Sequence, residues 1–122
     1  MKQIRIMIVD DDQDLAESLA ELLGIHGYTV DIACNGQEAV ERVRKDDFDL
    51  NFMDVRMPVM NGVDSFFEIR KMKPSAKVVM MTGSKEPMVS KALENGALGL
   101  LNKPFQLDDM LEKLQMVEAE KH

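Results

Sequence analysis

Five times along the chain a short apolar run gives way to a stretch in which apolar residues recur every three or four positions. The runs are Ile4–Val9, Thr29–Ala33, Leu50–Met53, Lys77–Met81 and Gly99–Leu101. They are rich in Ile, Val, Leu and Met, as strands covered on both faces tend to be. The stretches between them carry Leu15, Leu19, Leu22 and Leu23, then Ala39, Val40 and Val43 within Gln37–Lys45, then Val63, Phe66 and Phe67. Met88, Val89, Ala92 and Leu93 form a fourth set, and Leu107, Met110, Leu111 and Leu114 a fifth. Each set falls on one face of a helix. Connections this short leave right-handed crossovers between successive units, so the chain is predicted to form an α/β fold. Its core is a five-stranded parallel sheet, doubly wound (βα)5, with helices on both faces.

Composition narrows what such a fold could do. At 122 residues there is room for one domain, taken as residues 1–122. A formal net charge of −7 and no Lys/Arg cluster remove the electrostatic basis for direct nucleic-acid binding. The single Cys34 excludes an intramolecular disulfide or a cysteine-based metal cluster. The opening "MKQIRIMIVDDD" lacks an apolar run of the length a signal peptide or membrane span needs. A cytoplasmic setting with no membrane partner is the expectation.

In open parallel sheets, ligands bind beyond the carboxyl ends of the strands, beside the point where strand order reverses. The residues there are Asp10, Asp11 and Asp12 after the first run, Asp54 after the third, Thr82 after the fourth and Lys103 after the fifth. Carboxylates crowded at one sheet edge repel each other, and an oxygen-seeking divalent cation holds them ionised together. Magnesium suits the set, because it takes a few protein oxygens and keeps water or phosphate oxygens for the rest of its octahedron. Thr82 adds a hydroxyl, and Lys103 a mobile point charge suited to a phosphoryl oxygen.

The segments "IMIVDDD", "NFMDVRMPVMNG", "VVMMTG" and "LLNKPF" together resemble the receiver domain of bacterial two-component response regulators, a flavodoxin-like, chemotaxis-regulator-like fold, over essentially the whole chain. The resemblance implies a signalling phospho-acceptor that catalyses only its own phosphorylation and slow dephosphorylation. It makes Asp54 the phospho-acceptor, Asp11 a direct magnesium ligand and Asp10 an acidic partner acting mainly through bound water. Arg56 would give its backbone carbonyl to the metal, and Thr82 and Lys103 would sense and pair with the phosphoryl group. A cis peptide between Lys103 and Pro104 is implied. The implied partners are a cognate sensor histidine kinase or phosphotransfer protein and a downstream protein or output domain. Arg56 and Ser84 would flank the approach of water, and segments 84–95 and 98–111 would form the surface a partner reads. The chain departs from the family at three places. Leu100 stands where many members carry Tyr or Phe, Gly83 where Ala is commoner, and Asn51 where an apolar residue is usual.

Two other classes share parts of this pattern. A phosphatase of the haloacid-dehalogenase type places a second Asp two residues after its nucleophile, where this chain has Arg56, and no cap domain fits in its length. A flavodoxin-like electron carrier needs a Ser/Thr/Gly-rich loop after the first strand, where three carboxylates stand. Simpler roles fit the remaining residues. Asp12 is expected to cap the first helix, His26 to end it, and Cys34 to fill apolar space. Met57 and Met60 are expected to be partly exposed, and "VEAEKH" to be a fraying helix end.

Overall fold

The computed structural model describes residues 3–83 and 86–121. Strands and helices alternate as expected: β1 (Arg5–Val9), α1 (Gln13–Ile25), β2 (Thr29–Ala33), α2 (Gly36–Lys45), β3 (Leu50–Asp54), α3 (Gly62–Met72), β4 (Val78–Thr82), α4 (Pro87–Glu94), β5 (Gly99–Asn102) and α5 (Leu107–Lys121). All pairings are parallel, in the order β2-β1-β3-β4-β5. The chain moves from β1 to β2 in one direction and then returns past β1 to β3. The reversal therefore lies between β1 and β3.

Burial explains why the runs read as continuous rather than alternating. Every residue of the central strands β3 and β4 is buried, whereas the edge strands β2 and β5 are only partly covered. Met7, Val9, Met53, Val78 and Met80 pack on one face beneath α2, α3 and α4, around Val43, Phe66 and Val89. Ile6, Ile8, Leu50, Phe52, Val79 and Met81 pack on the other beneath α1 and α5, around Leu23, Met110 and Leu114. Each such large side chain contributes about 1.5–3 kcal/mol relative to leaving it exposed.

The helices start where local chemistry allows. Asp12, Asn35 and Asn61 accept hydrogen bonds from the backbone N–H groups of Leu15, Glu38 and Asp64 at 3.1, 2.9 and 2.9 Å, so each caps a helix. Pro87 opens α4 without such a cap, its missing N–H being one that a first turn leaves unused. His26 closes α1, with its Nδ1 2.9 Å from the Leu22 carbonyl, and Cys34 is half-buried.

One expectation needs correcting. Leu22, Met88 and Leu93 lie on the predicted apolar faces but point outward, because Ala16, Leu19 and Leu23 on α1 and Val89 and Ala92 on α4 complete the contact with the sheet. The C-terminal segment continues α5 through Lys121, and His122 lies outside the described residues. Tyr28 donates to Glu118 at 2.5 Å and Lys77 pairs with Glu120, joining the end of α5 to the N-terminal ends of β2 and β4. Burial, followed by the Glu118 carboxylate, pushes the Tyr28 hydroxyl up to about 12.

Candidate functional site

Four neighbouring strand ends converge on one spot. Val9 pairs with Met53, Asp54 with Met81, and Thr82 with Asn102, so this register brings Asp10, Asp54, Thr82 and Lys103 to the same edge of the sheet. Asp10 is 1% exposed and Asp54 6%, while Asp11 projects into solvent. One carboxylate oxygen from each of Asp10, Asp11 and Asp54 lies within 4.8 Å of the others. At that separation two like charges repel by about 3 kcal/mol in a typical protein-surface dielectric.

Lys103 relieves part of that repulsion. Its Nζ donates to Asp10 Oδ2 at 2.7 Å and stands 3.3 Å from Asp54 Oδ1. The other oxygen of Asp10 accepts the backbone N–H of Asp12 at 2.9 Å. The Lys103 N–H donates to the Thr82 carbonyl at 2.7 Å, and the Lys103–Pro104 peptide is cis.

These contacts set the ionisation of the site. Burial is the largest influence on Asp54 and the Asp10 charge adds to it. Lys103 opposes both, Asp11 adds a further push, and the Asp54 pKa rises to about 6. Burial also works against the charge of Lys103, but the hydrogen bond to Asp10 and the charges of Asp54 and Asp10 outweigh it and raise its pKa. Three carboxylates with a shared ammonium make an oxygen-only cluster able to hold a hard cation.

The loop after β3 forms the rim. Val55 N–H donates to the Met81 carbonyl at 3.0 Å, and Gly62 N–H to the Val55 carbonyl at 2.8 Å, pinning both ends of the loop to the sheet. Gly62 lies so close to the Asp54 carbonyl that a Cβ there would collide with it. Met57 and Met60 are half-buried, as expected. Between this loop and α4 is a cavity of about 490 Å³, lined by Asp11, Arg56, Asn61, Glu86 and Met88 among others.

Sequence reasoning located every member of the cluster but missed Glu86. Its carboxylate forms an ion pair with the exposed Arg56 guanidinium across the cavity. The only signal was an acid directly before the Pro that opens α4. Ser84, expected to flank the site, and part of the expected 84–95 surface lie outside the described residues. Leu100 is half-buried and shares a cavity of about 340 Å³ with Thr82, Val89 and Leu93.

Comparisons with known proteins agree with this fold. The sequence pattern of the response regulator receiver domain matches residues 6–115. The chain is 40% identical over 120 residues to the transcriptional regulatory protein ZraR of Klebsiella oxytoca, covering 98% of this chain and 26% of that protein, so it spans about a quarter of that relative's length. It is 37% identical over 115 residues to the chemotaxis protein CheY of Thermotoga maritima, covering 93% of this chain and 96% of CheY. The response regulator protein TrrA of Thermotoga maritima, solved in complex with Mg(2+)-BeF, superposes with a TM-score of 0.85 at 32% identity, covering 94% of this chain and 99% of that one. No helix among the described residues is long and apolar enough to cross a membrane. A match over nearly the whole chain, together with the five-stranded parallel fold, makes this protein a member of the response regulator receiver domain family, a two-component receiver.

Proposed function

We propose that Asp54 is the residue that accepts the phosphoryl group. The P–N bond of a phosphohistidine on a sensor histidine kinase or phosphotransfer protein breaks, an O–P bond to an Asp54 oxygen forms, and the imidazole leaves with a proton. The observation that carries this reading is the buried Asp54 carboxylate sharing Lys103 with Asp10 inside a cluster of three acids. With a pKa of about 6, Asp54 is mainly ionised at neutral pH and so is able to attack. Lys103, already 3.3 Å from Asp54, offers its charge to an oxygen of the transferring group. Thr82 supplies the hydroxyl that senses the product.

The oxygen-only donor set fits magnesium. Asp10, Asp11, Asp54 and the Arg56 backbone carbonyl would hold it. Bound there, the ion would supply charge to neutralise the transferring phosphoryl oxygens. TrrA, solved with Mg(2+)-BeF, supports this choice. The chain then acts only on itself, taking up the phosphoryl group and slowly losing it to water, with Arg56 at the flank of that approach. A downstream protein or an output domain reads the surface around α4 and β5–α5. ZraR, of which the match covers 26%, supports the second of these. The reaction is assigned to the cytoplasm, where sensor kinases present their phosphohistidine.

The test is labelling with acetyl phosphate followed by mass spectrometry. One phosphoryl adduct is expected, dependent on magnesium and removed by Asp54→Asn. Labelling of the Asn variant at unchanged stoichiometry would assign the acceptor elsewhere.

A further inference from the structure

Glu86 occupies the N-cap position of α4 with extended backbone angles, φ −113° and ψ 115°. A side chain there ordinarily accepts an N–H of the first helical turn, as Asp12, Asn35 and Asn61 do for their helices. Glutamate is not among the residues that cap well, and Glu86 makes no capping bond. Its Oε1 instead accepts Arg56 Nε, reaching across from the loop after β3. The two partners differ in cover: the Arg56 side chain is 79% exposed and that of Glu86 10%.

Two cavities meet at Glu86. The larger, about 490 Å³, extends from Arg56 to Asp11, and a carboxylate oxygen of Asp11 lies within 4.8 Å of one of Asp54. The smaller, about 340 Å³, is lined by Thr82 and Leu100. Glu86 lines both, and no other described residue does. Of the eight residues of α4 only Val89 and Ala92 are buried, so the start of the helix depends on what Glu86 is tied to. Arg56 spends Nε on Glu86, while its Nη groups have no hydrogen-bond partner among the described residues. Phosphorylation of Asp54 would turn a carboxylate of one negative charge into a group carrying close to two, with terminal oxygens that match the guanidinium fork. Against that, a single carboxylate oxygen is the weaker attractor.

We propose that the Arg56–Glu86 pair is a latch that seats the start of α4 against the loop after β3 in the unphosphorylated protein, with Glu86 as the positioning residue for Arg56. The inference rests on Asp54 as the acceptor. The phosphoryl group draws the guanidinium off Glu86, the pair opens, and the start of α4 loses its tie to the loop.

The test is hydrogen exchange at the α4 amides of Lys91 and Ala92 in the unphosphorylated protein, followed by NMR. Glu86→Gln should speed exchange about two- to fivefold, the range that one partly exposed ion pair can supply. Arg56→Met should do the same, and the double variant no more than either. Exchanging the charges, Arg56→Glu with Glu86→Arg, should restore most of the protection, which a role of Glu86 in the helix start alone would not. The amide of Leu114 in α5 should keep its rate throughout, separating the latch from global stability. In the wild type, beryllofluoride with magnesium should shift the Arg56 Nε–H signal. The latch is overturned by unchanged α4 exchange in Glu86→Gln, by single effects that add, by a charge exchange that restores nothing, or by equal loss of protection in α5. An Arg56 Nε–H signal that stays put while the Asp54 amide shifts overturns its opening. If the Asp54 amide does not respond at all, the acceptor assignment fails instead, and the exchange rates of the variants still decide whether the pair seats α4.

Discussion

Asp54 carries a charge that its surroundings oppose, and this has a measurable consequence. Its folded pKa, about 6, lies above the ordinary value of 3.8. Between these values the folded state keeps a proton that the unfolded state has released. Stability therefore falls as pH rises through that window and levels off above it. In metal-free buffer Asp54→Asn should match the wild type near the acid end of the window. At pH 7 it should be more stable by about 1–2 kcal/mol once solvent screening is allowed for. Urea unfolding of both proteins across the range checks this, and an Asn variant no more stable than wild type at pH 7 would contradict it. A second residue-scale constraint is steric. Gly62 leaves no space for a Cβ against the Asp54 carbonyl. Gly62→Ala should cost about 2 kcal/mol or more by displacing backbone in a packed region, and it should slow labelling of Asp54. Thermal melts and labelling rates measured together would show both effects.

At the scale of elements, β5 and α4 frame the question of how a phosphoryl group at Asp54 is read. Leu100 on β5 pairs with Met80 and packs against the core beneath α4. The cavity it shares with Thr82, Val89 and Leu93 gives the threonine room to move without displacing the leucine. Leucine also lacks the polar tip that would draw an aromatic such as Tyr toward solvent. Activation is therefore predicted to shift α4 while Leu100 keeps one rotamer; residues 84 and 85 of the loop before α4, also expected to move, lie outside the described residues. Methyl spectra with and without beryllofluoride, which mimics the phosphoryl group, should show the Val89 and Leu93 signals moving and the Leu100 pattern retained. Rotamer exchange at Leu100 with static α4 signals would refute it. The opposite pole of the sheet is held by contacts to α5, through Tyr28–Glu118 and Lys77–Glu120, so motion is expected at the strand ends that carry the acids.

For the whole molecule, the reversal of strand order between β1 and β3 explains why the acids meet there and nowhere else along the sheet edge. Their mutual repulsion opposes the metal-free fold. Magnesium in millimolar excess should raise Tm by binding the native state, by an amount equivalent to about 1–3 kcal/mol, and Asp11→Asn should blunt the gain. No shift in the wild type at low ionic strength would remove the metal from the site. Much of this architecture was legible before any coordinates, because its signals are local. Apolar runs mark buried strands, helical spacing marks α1 to α5, and Asp12 caps the helix that begins beside it. The strand ends then place Asp10, Asp54, Thr82 and Lys103 at one edge for any parallel sheet in this order. The sequence did not tell Leu22 from Leu23, since neighbours at the border of an apolar face are separated only by how the helix seats on the sheet. Nor did it reveal that Lys103 bridges Asp10, 93 residues away, or that Glu86 pairs with Arg56. Those contacts join side chains from different loops and strands. Periodicity along one segment carries no information about such distances, and only strand order and helix packing determine them.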